Sequence, residues 1–128
     1  FPHQTQAAVR GVLLGANWMG RMHQPQGRFL YGYNPALRQA LPGDHDLMQA
    51  RAALAMAQAA RFTGDERQAV LASQSVLTLL AATRVDPADP NCRIPVHSSL
   101  TCNRVGFAAT VALAIYELPN PDPKRLAE

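Results

Sequence analysis

The chain has 128 residues, of which 48% are hydrophobic and 16% charged, and its formal net charge is +3. This length suits one domain, and the composition excludes an intrinsically disordered chain. No apolar run approaches the ~20 residues that a membrane-spanning helix needs. The cations are scattered arginines, with one lysine, rather than the concentrated basic stripe of a nucleic-acid-binding protein. We therefore expect no transmembrane segment and no nucleic-acid partner.

Apolar residues recur at helical spacing in four segments, which predicts helices over residues 5–19, 46–62, 66–83 and 103–118. The second helix is so rich in alanine that we expect it to pack closely against helices on two sides. Between the second and third helices, Gly64 is predicted to adopt the left-handed conformation that ends a helix, and Asp65 to cap the next. The prediction is an all-α fold of antiparallel helical hairpins, a single domain over residues 1–128.

The third helix is expected to bury Val70, Leu77 and Leu80, with Ala69 and Val76 beside them. Residues 85–100, rich in proline and serine, are predicted to form a long loop. Near the end, a helix that begins at Lys124 would have about one turn, which is not stable alone. We therefore expect the chain to be completed by the rest of a longer polypeptide or by other subunits.

The two cysteines, Cys92 and Cys102, lie in the proline- and serine-rich segment. In an oxidising compartment they could form a disulfide, and two unpaired thiols are the alternative. No zinc-type spacing of Cys and His is present, so neither a metal site nor a cofactor is predicted. The chain begins at Phe1 without a recognisable signal peptide, which leaves a cytoplasmic location and export after signal removal both open.

Residues 24–29, with the sequence Gln-Pro-Gln-Gly-Arg-Phe, resemble the Gln-x-x-Gly-x-aromatic element of squalene-cyclase-type repeats. Residues 49–71 resemble a helix pair common in α/α-toroid proteins, a superfamily that includes terpene cyclases, prenyltransferase subunits and sugar epimerases. The resemblance implies a segment of an (α/α) toroid, a ring of helical hairpins around a central pocket. Two departures are clear: Phe29 stands where the cyclase pattern has Trp, and Leu47 replaces the last acid of the Asp-x-Asp-Asp motif of hopene-forming cyclases.

Asp44, His45 and Asp46 are the candidate catalytic residues. Two carboxylates that flank an imidazole could form an acid/base group, and the resemblance implies that the ends of inner helices point into the pocket. The alternative is structural, with Asp44 as the cap of the second helix, Asp46 beside its positive end and His45 on the surface.

A set of aromatic side chains and one arginine are the candidate substrate-binding residues. The aromatic side chains could stack on a sugar ring or an isoprenoid, or they could fill the core. The arginine could clamp a carboxylate such as that of a uronic acid, or it could extend to water or to Asp46. These residues are Trp18, Phe29, Tyr31, Tyr33 and Arg51.

Two functions follow from these patterns. In the first, the chain is part of a pocket-forming toroid protein, carbohydrate-active or cyclase-like, that binds a small-molecule ligand. The second is a non-enzymatic helical-repeat scaffold, similar to tetratricopeptide arrays, that binds a protein partner or subunit.

Overall fold

The computed structural model describes residues 2–96 and 104–119, and these are mostly helical. Four short strands form two separate antiparallel hairpins. The prediction of a mainly α-helical fold is therefore confirmed, but it did not include these two small sheets. The helices are α1 (His3–Met22), α2 (Asp46–Thr63), α3 (Glu66–Ala81) and α4 (Arg104–Glu117). The strands are β1 (Tyr33–Asn34), β2 (Gln39–Ala40), β3 (Thr83–Asp86) and β4 (Asp89–Pro95).

Helix α2 is the centre of the fold, since α3 packs on one side of it and α4 on another. Its alanines are small enough to let both neighbours approach closely. Ala50 and Ala53 pack with side chains of α3 and α4, whereas Met56 and Ala57 form a second cluster with Ala72 of α3. The prediction of an alanine-rich helix covered on two sides is confirmed.

The link between α2 and α3 has the predicted geometry. Gly64 has φ 71°, and its N–H donates to the carbonyl of Ala60, which closes the last turn of α2. The carboxylate of Asp65 accepts hydrogen bonds from the backbone N–H groups of Arg67 and Gln68, and thereby caps α3. Two residues thus reverse the chain direction and set α2 and α3 antiparallel.

The buried face of α3 differs from the predicted one. Val70 is 64% exposed and Leu77 45%, whereas Val76, which was expected beside them, and Leu79 are buried against α2 and α4. Leu80 is partly buried against the same core cluster. Both sets of residues have helical spacing, and the choice between them depends on where α4 lies, which local sequence does not encode.

The loop predicted over residues 85–100 is wrong in its described part, because β3 and β4 form a hairpin there. Arg84 pairs with Ile94 and Val85 with Arg93, with an irregularity after Val85. In a two-stranded sheet both strands are edges, so the prolines of β4 remove no central hydrogen bond.

Helix α1 is longer than predicted but is held loosely. Of its 20 residues only Ala16 is buried. Its large hydrophobic side chains are mostly exposed, namely those of Val9, Val12, Leu13, Leu14 and Trp18. Within the described part of the chain, none of the helices is both long and apolar enough to cross a bilayer.

Candidate functional site

The segment that carries the Gln-x-x-Gly-x-aromatic resemblance forms a tight loop directly after α1. The N–H of Gln24 donates to the carbonyl of Arg28, and the N–H of Leu30 donates to the carbonyl of Met22. Gly27 has φ 81° and is buried, and a Cβ there would overlap the Thr78 hydroxyl. Only glycine therefore fits the close approach of this loop to α3.

Gln49 joins this loop to α2. Its carboxamide accepts a hydrogen bond from the N–H of Phe29 at 2.8 Å and donates one to the carbonyl of Phe29, also at 2.8 Å. The same side-chain nitrogen lies 2.9 Å from the carboxylate of Asp44. A buried glutamine therefore satisfies both backbone groups of Phe29, which otherwise would be costly to bury.

Arg28 joins the loop to the start of α2 through two carboxylates. One terminal guanidinium nitrogen, Nη1, lies 2.6 Å from Asp44 Oδ2 and 2.9 Å from Asp46 Oδ1. The Asp46 side chain is nearly buried and the Asp44 side chain is half exposed. The structure thus brings two of the three predicted catalytic residues together, but around a cation of the protein itself.

His45 occupies the cap position predicted for Asp44, because α2 begins at Asp46. Among the residues that the structure describes, its side chain makes no capping bond, and its buried Nδ1 has no hydrogen-bond partner. Asp44 instead accepts the N–H of His45 at 2.8 Å. Asp46 lies in the first turn of α2, as predicted, where its charge is favourable.

The four aromatic residues divide into core and surface. Phe29 is buried in the cluster with Met56, and its ring meets His23 edge-on with centroids 5.1 Å apart. Tyr31 and Tyr33 are half exposed, and the Tyr31 ring lies against Gly43, directly before Asp44. Trp18 is half exposed on α1, and in residues 2–96 and 104–119 no ring contact joins it to either tyrosine. Two tyrosines, rather than four aromatic residues, therefore lie exposed on the segment that leads into α2.

His23 attaches the loop to α3. Its Nε2 lies 3.0 Å from the hydroxyl of Ser75, which is buried and also donates to the carbonyl of Leu71. Burial lowers the pKa of His23, and a hydrogen bond with the Leu71 backbone opposes this in part. No carboxylate of the described chain pairs with His23, so this His–Ser contact lacks the third member of a catalytic triad.

The remaining predicted residues lie outside this cluster. Arg51 is exposed on α2 and forms no ion pair within the described part of the chain. Cys92 is exposed on β4, and its thiol donates to Asp89, which raises the pKa of the thiol. Cys102 lies outside the described residues, as does the predicted helix from Lys124. Over the described ranges, no three His, Cys, Asp or Glu side chains are grouped as metal ligands.

Sequence reasoning missed Arg28 and Gln49. Arg28 was visible as the variable residue of the repeat element, and Gln49 as a polar residue next to Ala50 in an apolar helix. Both meet their partners across 16 to 20 residues of intervening chain, and a single sequence contains no signal for such pairs.

Comparisons with known proteins identify no relative of this chain. No protein-family model, curated protein or solved structure matches the chain. The similarity to α/α toroids therefore rests on the sequence motifs alone.

Proposed function

We propose that this protein is a helical interaction module that binds an amphipathic helix of a partner along α1. The observation that carries the proposal is the exposure of α1, in which only one residue of 20 is buried. A helix in water owes most of its stability to tertiary packing of its apolar face. The exposed face of α1 is therefore the surface that most needs a partner.

The position of these side chains supports a helix as the partner. Val9, Val12 and Leu13 recur at intervals of three and four residues and share one face, which we call the α1 stripe. Val9 and Leu13 line a shallow, almost wholly apolar groove on this surface. Helix-in-groove recognition uses anchors at the same spacing on the bound helix.

The charge of α1 indicates the chemistry of the partner. The helix contains Arg10 and Arg21 and no acidic residue. Acidic side chains beside the apolar stripe of a partner would meet these arginines, and complementary charge favours correct association over competing partners. In the α/α-toroid interpretation such a helix would come from a neighbouring hairpin of the same ring.

Two designed peptides test the proposal. Both carry leucines at positions i, i+3, i+4 and i+7, and they differ only in flanking Glu or flanking Lys. We expect the Glu peptide to bind, as measured by calorimetry, and the double variant Val9→Ser/Leu13→Ser to lose this binding. The control is Leu37→Ser, because Leu37 is 69% exposed in the turn between β1 and β2. Equal binding of both peptides, or binding unchanged in the double variant, contradicts the proposal.

A second candidate function is binding of a sugar-like ligand beside Tyr31. The half-exposed Tyr31 ring lies against Gly43, the residue before Asp44, and combines an apolar face with a hydroxyl group, the pairing that carbohydrate recognition needs. Asp44 and Asp46 both bind Arg28, which favours ligand binding over acid/base catalysis at this place.

Titration with glucose and with glucuronate, followed through the NMR signals of the tyrosines, tests this second proposal. Tyr31→Ala should abolish binding of both sugars. Tyr116→Ala, on α4, is the control, since Tyr116 is an exposed tyrosine of another element. Absence of any shift at Tyr31 would refute this second function.

A further inference from the structure

A separate groove opens between the end of α3, the β3–β4 hairpin and α4. It encloses about 330 Å³ and its lining is mostly apolar, and ligand pockets in proteins begin near ~300 Å³. None of the residues around Asp44 lines it, so it is distinct from the site described above. Its principal apolar walls come from Leu80, Phe107, Val111 and Ile115.

One cation, Arg93, lines this groove and is held in a fixed direction. Its Nε donates to the Thr83 hydroxyl at 2.9 Å, and that hydroxyl donates to the carbonyl of Leu80 at 2.6 Å. Arg93 is half-buried, and no ion pair engages its terminal nitrogens within residues 2–96 and 104–119. With respect to the described part of the chain, these nitrogens are therefore available to bind an anion.

The acidic residues nearest in sequence lie away from the groove. Asp86 and Asp89 pair at the turn end of the hairpin, whereas Thr83 pairs with Pro95 at the opposite end. Asp89 is four residues from Arg93, or roughly 13 Å along an extended strand. The charge that faces a ligand in the groove is therefore positive.

From this combination we propose that the groove binds an amphiphilic carboxylate of the fatty-acid class. The hydrocarbon chain would lie against Phe107, Val111 and Ile115, and the carboxylate would bind the terminal nitrogens of Arg93. Burial of the chain supplies affinity through the hydrophobic effect, and a guanidinium suits a carboxylate because it can form two parallel hydrogen bonds. This inference is independent of the partner helix on α1.

Titration with octanoate and with 1-octanol tests the head-group part of this proposal. We expect Arg93→Gln to weaken octanoate binding about tenfold, the effect of losing one charge-assisted contact, while 1-octanol binding stays within twofold. The control is Arg84→Gln, which removes an exposed arginine from the neighbouring strand and should change neither affinity. Octanoate binding that is equal in the wild type and in Arg93→Gln would overturn the assignment.

A second variant tests the location. Ala112 lines the groove and is exposed, so Ala112→Phe should fill the space without disturbing the core. We expect this variant to lose binding of both probes and to keep the melting temperature of the wild type. In the wild type, octanoate should shift the NMR signals of the Val111 and Ile115 methyl groups. Octanoate binding that persists in Ala112→Phe, or that leaves these methyl signals unchanged, would place the ligand elsewhere and refute the proposal.

Discussion

Substitution of Gln49 by alanine is the sharpest test of how the loop at residues 24–29 is held. In the structure one carboxamide satisfies both the N–H and the carbonyl of Phe29, and both bonds are buried. Gln49→Ala would leave two buried backbone groups without partners, at ~1–3 kcal/mol each. The third bond, to Asp44, is more exposed and adds little. We therefore expect the free energy of unfolding to fall by about 2–6 kcal/mol.

Urea unfolding followed by circular dichroism measures this change, provided that the m-value stays that of the wild type. Hydrogen exchange gives a local readout, since the amide of Phe29 should lose protection more than the amides of α3. Gln58→Ala is the matched control, because Gln58 is an exposed glutamine of the same helix. Its effect should stay within about 0.5 kcal/mol.

A destabilisation by Gln49→Ala no larger than that of Gln58→Ala would refute the reasoning. A charged replacement sharpens the test. Gln49→Glu can still accept from the N–H of Phe29, but at neutral pH its carboxylate would face the carbonyl of Phe29 and the carboxylate of Asp44. The variant should therefore be destabilised at neutral pH and recover in part as the glutamate is protonated.

Three further predictions concern single residues. Gly27→Ala should lower the free energy of unfolding, measured in urea, by about 2 kcal/mol or more, because Gly27 has a positive φ and an added Cβ would clash with Thr78. The control is Gly11→Ala, which has open space around it and should raise the free energy of unfolding by about 0.5–1 kcal/mol. Asp65→Ala should cost about 1 kcal/mol through loss of the α3 cap, and Asp65→Asn should restore most of it. The pKa of His23 is lower in the folded protein than in the unfolded chain, so the unfolded chain binds the proton more readily. The free energy of unfolding should therefore be highest above pH 6.5 and fall as the pH drops below it. The decline should end once His23 is protonated in the folded state as well. Chemical unfolding between pH 7 and pH 5 should show this decline, and His23→Gln should remove that part of it.

What the sequence predicted well depended on local chemistry. The turn at Gly64 and Asp65 follows from the left-handed preference of glycine and from the capping ability of aspartate, neither of which needs a distant partner. The alanine-rich character of α2 likewise predicted close packing on two sides, because only small side chains permit it.

What the sequence did not predict depended on distant partners. Val70 and Leu77 were expected in the core together with Val76 because their spacing is helical, but the position of α4 buries Val76 and Leu79 and leaves Val70 and Leu77 exposed. The β3–β4 hairpin was hidden by its prolines, which are compatible with edge strands as well as with loops. In the candidate site, Asp44 and Asp46 were recognisable as a pair, whereas Arg28, which binds both, could be found only from the three-dimensional structure.

The loop at residues 24–29 also explains how α1 stays attached while exposing most of its surface. His23 is anchored to Ser75 of α3 and Phe29 to Gln49 of α2, so the C-terminal end of α1 continues into a segment fixed at two points. The one buried residue of α1, Ala16, lies in its second half, and Met19 packs nearby against the core. Every residue of the first half is exposed, so its amides should exchange faster than those beyond Ala16. Binding of the Glu-flanked peptide should slow that exchange selectively, because Val9 and Val12 of the α1 stripe lie in the first half, on the surface that the peptide would cover.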